Sequence, residues 1–234
     1  MKLKFHQQNL SIILDILHKA GGQPRLIGGC VRDTILQVKF LDIDIITILL
    51  PDKVQELLEQ NKIKVIPTGI KFGTISAYID SEIYEITTLR QDINCDGRHA
   101  EIAYTKDFAQ DAARRDFTIN ALSYDTYRDE IYDYYGGLDD LKHKHVRFIG
   151  NAEIRIKEDH LRILRFFRFS AKYAANPDID GHQACIKLRA SLQNISKERI
   201  ISEIIKIIIG PNSGQILQLM YEKAILQFCL SGLK

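Results

Sequence analysis

The chain has 234 residues, of which 45% are hydrophobic and 26% are charged, and its formal net charge is +2. These values are typical of a globular protein with one or two domains and a sizeable core. A nearly neutral charge excludes nucleic-acid binding that rests on bulk positive charge alone, so any such binding depends on local clusters of arginine.

The four cysteines lie far apart and form no CxxC pair, so we expect neither a zinc site nor a disulfide framework. The N-terminus lacks the pattern of a secretory signal, and no apolar stretch is long enough to cross a bilayer. The sequence therefore predicts a cytoplasmic protein that has no membrane partner.

The first part of the chain alternates between helical and strand patterns. Apolar positions recur with a helical period over residues 3–20, and two glycines end that helix. Glycine, asparagine and aspartate then predict a mobile loop over residues 91–100. The other elements predicted here are helices over 30–36, 52–60 and 107–121, and strands over 24–27, 42–49, 62–66, 73–79, 82–87, 121–125 and 130–134.

The sequence after residue 151 is almost entirely helical in pattern. We predict helices over residues 153–174, 185–193, 197–209 and 213–229. The predicted fold class is α+β, with a mixed-sheet domain over residues 1–148 and an all-helical domain over residues 149–234.

Two aspartates, Asp42 and Asp44, interrupt an otherwise apolar strand. Side chains alternate along a strand, so both carboxylates project from one face, and Ile43 and Ile45 take the other. Adjacent carboxylates repel unless a cation lies between them, and hard oxygen ligands favour Mg²⁺. An exposed acidic strand face explains this pair equally well. Glu85 is a third candidate, as a metal ligand, a catalytic base or a cross-strand partner of a basic residue.

Gly28 and Gly29 join a strand to a helix, which lets the backbone approach a phosphate. Arg32 follows in the first helical turn, where it could contact the same phosphate. The alternative is a plain turn in which Arg32 and Asp33 are solvated. Together with the two aspartates, however, the glycines indicate a metal site beside a triphosphate site.

Arginines cluster with carboxylates in two further segments. Residues 111–122 bring Arg114, Arg115, Asp116 and Asn120 into one and a half predicted turns, which suits phosphate and ribose, although a self-paired helix surface fits as well.

The second segment, residues 158–169, places Asp159, Arg162, Arg165 and Arg168 at helical spacing. An Asp–Arg pair presents acceptors and donors that can read a base edge, and the alternative is an ordinary intrahelical ion pair. We interpret His143 and His145, which follow an earlier turn, as surface residues.

Five segments in this order resemble the motifs of the class II tRNA nucleotidyltransferase and bacterial poly(A) polymerase family. They are Gly28–Asp33 with Asp42–Asp44, Arg114–Ala121, Gly136–Leu141, Glu158–Arg165 and Ile195–Ile200. The resemblance implies a polymerase-β-like nucleotidyltransferase head followed by an all-helical neck. It also implies CCA addition to tRNA 3′ ends from CTP and ATP, with poly(A) addition as the alternative.

The resemblance implies a role for each matching residue. Asp42 and Asp44 would bind Mg²⁺, which binds the triphosphate and activates the RNA 3′-hydroxyl, and Asp159 and Arg162 would pair with the base. The nucleotide-binding residues implied are Gly28, Gly29, Arg32, Arg115, Asp116, Asn120, Asp159, Arg162, Arg165 and Arg168. Residues 87–107 resemble the flexible loop of enzymes that add the final A.

The chain is C-terminally short for this family, whose members continue into helical body and tail domains. Three explanations are open at this point: a split enzyme with a complementary chain, a minimal polymerase, or the product of a decaying gene. A non-catalytic nucleotide- or RNA-binding subunit is a further alternative, which the intact acidic and basic motif residues disfavour.

Overall fold

The computed structural model describes residues 3–5, 8–40, 42–95 and 100–230. The strands are β1 (Arg25–Ile27), β2 (Ile43–Thr47), β3 (Lys64–Gly69), β4 (Thr74–Ile79), β5 (Glu82–Thr88), β6 (Arg90–Cys95), β7 (Ala100–Tyr104), β8 (Ser123–Asp125) and β9 (Glu130–Tyr132). The helices are α1 (Gln8–Lys19), α2 (Gly29–Ile35), α3 (Pro51–Gln60), α4 (Phe108–Ala113), α5 (Gly137–Lys142), α6 (Ala152–Glu158), α7 (Arg162–Tyr173), α8 (Ile179–Leu188), α9 (Lys197–Ile208), α10 (Ser213–Glu222) and α11 (Ile225–Leu230).

The chain folds into two compact units. The sheet unit comprises Met1–Ile93, Ile102–Arg115 and Asn120–Gly137, and the helical unit comprises Asn94–Glu101, Asp116–Ile119 and Leu138–Lys234. This division assigns residues 138–148 to the helical unit, whereas the first domain predicted from the sequence extends to residue 148.

The sheet unit is built on a seven-stranded sheet with the order β3-β4-β5-β2-β1-β8-β9. Strands β2 and β5 run parallel and their neighbours pair antiparallel, so the predicted mixed sheet and the α+β class are confirmed. The parallel pair sets Asp44 directly opposite Glu85. Ile43 and Ile45 are buried, as the alternation along this strand predicts.

Helices α1 and α3 bury one apolar face each. In α1 the buried positions include Leu10, Ile13 and Leu17, which follow the period predicted from the sequence. Pro51 begins α3, where its missing N–H would lack a helical partner in any case.

A cluster of aromatic rings forms the core of the helical unit. The ring of Phe117 is fully buried, and its centroid lies 4.8 Å from that of Phe148, 6.3 Å from that of Phe166 and 5.3 Å from that of Phe169. Phe166 and Phe169 come from α7, which also packs against α9 and α10.

The predicted helix over residues 107–121 is wrong after Ala113, where α4 ends. Phe117 instead forms an isolated antiparallel bridge with Phe148, and the N–H of Thr118 donates to the carbonyl of Arg147 at 3.1 Å. A short 3-10 turn follows over Thr118–Asn120. Burial of the Phe117 ring therefore overrides the helical pattern of the surrounding residues.

The predicted helix over residues 153–174 is interrupted. Helix α6 ends at Glu158, Asp159 adopts an extended backbone with φ −149°, and α7 begins at Arg162. The carboxylate of Asp159 accepts the N–H of Leu161 at 3.1 Å, which is how a short acidic side chain competes with continued helix. Asp159 and Arg162 therefore do not share a helix.

Three other boundaries also differ from prediction. The helix expected over residues 213–229 divides into α10 and α11, because Ala224 has a positive φ of 57°. The helix expected at residues 185–193 begins earlier, at Ile179. Much of the predicted 91–100 loop is strand: β6 and β7 form a separate two-stranded sheet, and residues 96–99 lie outside the described residues.

Within the part of the chain that the structure describes, every helix is too short or too polar to span a bilayer.

Replacing Phe117 by alanine should lower the free energy of unfolding by about 3–5 kcal/mol, because it leaves a cavity among three rings. Urea denaturation followed by circular dichroism measures the change. Tyr221→Ala is the matched control, since Tyr221 is 76% exposed and its loss should change stability by less than about 0.5 kcal/mol. Equal losses in the two variants would contradict the assignment of Phe117 to the core.

Candidate active site

Three carboxylates lie together at one position of the sheet. Asp44 on β2 and Glu85 on β5 are register partners, and Asp42 is exposed just before β2. The pKa of Asp44 is raised to about 6, mainly by burial and also by the negative charges of Glu85 and Asp42, while the Arg115 guanidinium opposes the rise. The site therefore carries more negative charge than its own arginine balances, which is the condition for binding a cation.

The oxygen donors of these carboxylates are of the kind that hard divalent cations such as Mg²⁺ prefer. Among residues 3–5, 8–40, 42–95 and 100–230, no group of three or more His, Cys, Asp or Glu side chains is placed so that it could hold a metal ion by itself. Mg²⁺ seldom needs such a group, because it usually binds one or two carboxylates together with phosphate oxygens and water. Asp42 and Asp44 present that number of carboxylates.

The Gly28 turn brings an arginine close to the backbone. Gly28 has φ 74° and ψ −123°, a conformation that strongly favours glycine, and its N–H donates to the carbonyl of Leu122 at 3.0 Å. A Cβ at Gly28 would lie 3.5 Å from the carbonyl oxygen of Asn120 and 3.7 Å from Nη1 of Arg115. Gly29, which follows, begins α2, and a Cβ there would lie 3.7 Å from Nη2 of Arg32.

Arg32 is buried beside this turn. Its Nε lies 2.7 Å from Oδ1 of Asp33, and its Nη1 donates to Oδ1 of Asn120. Arg32 and Asp33 are about 5% exposed, so the alternative in which both are solvated is wrong. The structure thus brings together Arg32 and Asn120, two predicted nucleotide-binding residues that lie 88 positions apart.

Asp111 holds the arginine cluster in place. Its carboxylate is fully buried, with Oδ2 3.1 Å from Nη2 of Arg115, Oδ1 2.9 Å from Nε of Arg114 and the Arg90 N–H at 3.2 Å. Burial alone would raise the pKa of Asp111, but the two guanidiniums hold it below its usual value. Our sequence analysis did not select Asp111, although its i+3 and i+4 spacing to the two arginines was a usable signal.

The helical unit pairs Asp116 with Arg165. Oδ2 of Asp116 lies 2.7 Å from Nε and 2.5 Å from Nη2 of Arg165. Burial alone would lower the pKa of Arg165, yet the neighbouring carboxylates, Asp116 foremost, raise it. Arg165 is therefore firmly charged, and one edge of its guanidinium is fixed by a single carboxylate oxygen.

Asp159 and Arg162 each have a charged partner that the sequence analysis did not select. Both oxygens of Asp159 lie 3.2 Å from Nη2 of Arg199. Nη1 of Arg162 lies 2.5 Å from Oε2 of Glu158 and donates to the carbonyl of Arg155 at 2.8 Å. The Asp159–Arg199 pair could not be read from spacing, because 40 residues separate its members.

Arg168 follows the same pattern. Its Nε lies 3.0 Å from Oε2 of Glu203, which is 4% exposed, and its guanidinium lies over the Phe169 ring at 4.5 Å. Glu203 was also missed. Arg162, Arg165 and Arg168, which follow one another along α7 at one-turn steps, are thus each paired with a carboxylate.

The two histidines after α5 differ from one another. His143 is exposed, as predicted. His145, predicted as a surface residue, is half-buried, with Nε2 2.9 Å from Oδ1 of Asp178 and Nδ1 3.4 Å from Oδ1 of Asp140. It serves as a structural contact between these carboxylates.

Comparison with known proteins decides the family. The family described as Poly A polymerase head domain matches residues 24–147, more than half of the chain. The chain belongs to this family. A second family, described as a probable RNA and SrmB-binding site of polymerase A, matches residues 178–234.

Proteins of similar sequence are named as CCA-adding enzymes. The chain is 40% identical to human "CCA tRNA nucleotidyltransferase 1, mitochondrial" over 92% of its own length and 50% of that protein. It is 41% identical to the "CCA-adding enzyme" of Oceanobacillus iheyensis over 89% of its length and 51% of the relative. The chain therefore spans about half the length of these curated relatives.

A solved structure supports the fold across both units. The CCA-adding enzyme of Bacillus stearothermophilus, crystallised with CTP, aligns with a TM-score of 0.83 and 32% identity. The alignment covers 93% of this chain and 52% of that one. The polymerase head followed by helices that the sequence predicts is thereby confirmed.

Replacing Asp44 by asparagine should stabilise the protein in the absence of divalent cations. An ordinary aspartate ionises near pH 3.8, whereas Asp44 does so at about 6, so its contribution to stability is lost as the pH rises from 4 to 6. At pH 7.5 the variant should gain about 1–3 kcal/mol in the free energy of unfolding, and near pH 4 almost nothing.

Urea denaturation in EDTA at both pH values measures this difference, with Asp52→Asn as the control for loss of an exposed carboxylate. A variant no more stable than the parent at pH 7.5 would contradict the raised pKa.

Proposed function

We propose that the chain is a template-independent RNA nucleotidyltransferase that adds C and A to the 3′ ends of tRNA, using CTP and ATP with Mg²⁺. The observation that carries the proposal is the register of Asp44 with Glu85 beside Asp42, in a chain 40% identical to a named CCA tRNA nucleotidyltransferase. The crystal structure of a relative with CTP supports the choice of nucleotide.

In this proposal the residues of the sheet unit bind the metal and the triphosphate. Asp42 and Asp44 would hold Mg²⁺, which would supply charge neutralisation for the phosphates and lower the pKa of the attacking 3′-hydroxyl. Glu85 is the candidate base for the hydroxyl proton.

Four further groups of the sheet unit approach the nucleotide in this proposal. The Gly28–Gly29 backbone lies along the triphosphate, and Arg32 and Arg115 neutralise its charge. Asn120, held by Arg32, hydrogen-bonds the ribose.

The residues of the helical unit select the base. The carboxylate of Asp159 accepts from the exocyclic amino group that cytosine and adenine share, and Arg162 donates to a ring acceptor. UTP and GTP carry a carbonyl where that amino group stands, so they leave the carboxylate without a donor. Asp116, Arg165 and Arg168 are the other nucleotide-binding residues of the helical unit in this proposal.

Poly(A) addition is the second candidate function. It is favoured by the description of the head-domain family, which names poly A polymerase. A cytoplasmic location stays a prediction, since the human relative is mitochondrial by name.

Incorporation assays separate the candidates. The substrates are tRNA that ends before CCA, tRNA that ends in CC and an unstructured RNA, each with labelled CTP or ATP and Mg²⁺. We expect C, C and A to be added to the tRNAs alone, and Asp42→Asn to lower the rate by about a hundredfold or more. Asp52→Asn, which removes an exposed carboxylate, should leave it unchanged. Long A tracts on every RNA would replace this proposal by the second candidate.

Arg162→Ala should relax the choice of base more than it weakens binding of the triphosphate, because the side chain donates to the base. Steady-state kinetics with CTP, ATP, GTP and UTP on the same tRNA should show a smaller ratio of CTP to UTP use, by roughly tenfold. Lys197→Ala, an exposed change in the same unit, is the control. An equal loss with all four nucleotides would contradict base reading by Arg162.

A further inference from the structure

The carboxylate of Asp159 is fixed by two anchors from different parts of the helical unit. One is the N–H of Leu161, two residues ahead, at 3.1 Å. The other is Arg199 in the first turn of α9, whose Nη2 lies 3.2 Å from both carboxylate oxygens. The Leu161 contact is local, whereas the Arg199 contact connects two helices that are distant in sequence.

Asp159 needs such an anchor because it lies outside regular structure. Its extended backbone separates α6 from α7, so no helical turn limits the direction of its side chain. The side chain is 29% exposed, which leaves room for it to rotate. Anchoring by Arg199 restricts that rotation.

The pair is poorly placed to serve stability alone. Arg199 is 36% exposed and Asp159 is 29% exposed, and ion pairs accessible to water contribute little to folding. A carboxylate has about four lone-pair sites, so two anchors still leave it able to accept from a ligand. The geometry therefore suits a group that is held in one orientation and still available for binding.

We propose that Arg199 is a positioning residue for base selection, which orients the Asp159 carboxylate toward the exocyclic amino group of CTP or ATP. The inference rests on the proposed function, in which Asp159 reads that group. Without Arg199 the carboxylate can turn away, so the penalty against UTP and GTP falls.

The donor side of base reading is held independently. Arg162 is fixed by Glu158 and by the carbonyl of Arg155. Loss of Arg199 should therefore weaken the distinction between amino and carbonyl bases without removing the contribution of Arg162. This separates the proposed role from a general loosening of the unit.

The test compares Arg199→Met and Arg199→Lys with the parent chain and with Lys197→Met, an exposed change two residues away on the same helix. Addition of the first nucleotide to tRNA that ends before CCA is measured with CTP and with UTP. For Arg199→Met we expect the ratio of kcat/KM for CTP to that for UTP to fall roughly tenfold, with kcat for CTP within about threefold of the parent. Arg199→Lys keeps the charge and should restore part of the ratio, and Lys197→Met should leave it unchanged.

A double-mutant cycle with Asp159→Asn shows whether Arg199 acts through Asp159. If it does, adding Arg199→Met to Asp159→Asn should not lower the ratio further. If Arg199→Met lowers the CTP to UTP ratio by the same factor in the Asp159→Asn variant as in the parent, the inference is overturned, because Arg199 then acts independently of Asp159. Circular dichroism and thermal unfolding of each variant identify changes that are merely structural, and Arg199→Lys keeps the test decisive should Arg199→Met unfold.

Two failures are distinguishable. A parent chain that uses CTP and UTP equally, or incorporates neither, would overturn the proposed function and this inference with it. A parent chain that prefers CTP while Arg199→Met keeps the same preference would overturn the inference alone.

Discussion

Like charges in adjacent parallel strands are the constraint on which the sheet unit depends. Hydrogen bonding of β2 to β5 sets Asp44 against Glu85, and Asp42 adds a third carboxylate nearby. Burial, and then repulsion by Glu85 and Asp42, raise the pKa of Asp44, and the arginine that opposes this rise, Arg115, is itself fixed by the buried Asp111. The positive-φ turn at Gly28 lies beside that arginine. Three carboxylates near one such arginine leave an excess of negative charge, which a bound cation would balance in the proposed function.

In the helical unit, every predicted nucleotide-binding side chain has an oppositely charged partner. The pairs are Asp116 with Arg165, Glu158 with Arg162, Glu203 with Arg168 and Arg199 with Asp159. Long arginine side chains lose much conformational freedom when they bind a ligand, and pairing removes part of that freedom in advance. Such a preorganised set of donors and acceptors is what the proposed selection of bases without a nucleic-acid template would need.

Periodicity predicted the parts of the fold in which local pattern and tertiary packing agree. The alternation around Asp44, the apolar face of α1 and the run of helices after residue 151 all follow from it. The helix predictions are wrong where the contacts of one residue outweigh the helical pattern of the residues around it. Phe117 pairs with Phe148 instead of continuing a helix, and Asp159 accepts the N–H of Leu161 where another helix ends. The pairing of Asp111 with its two arginines could be predicted from helical spacing. The pairing of Arg199 with Asp159 could not, because only the tertiary fold brings these residues together.

The central claim is that Asp42 and Asp44 bind a divalent cation together with a triphosphate. Titration of the protein with Mn²⁺, a spectroscopic substitute for Mg²⁺, measures this directly by electron paramagnetic resonance in the presence of a non-hydrolysable CTP analogue. The account predicts saturable Mn²⁺ binding by the parent chain and by Asp52→Asn, and loss of that binding in the Asp42→Asn/Asp44→Asn double variant. Equal Mn²⁺ affinity in the parent and the double variant would contradict it.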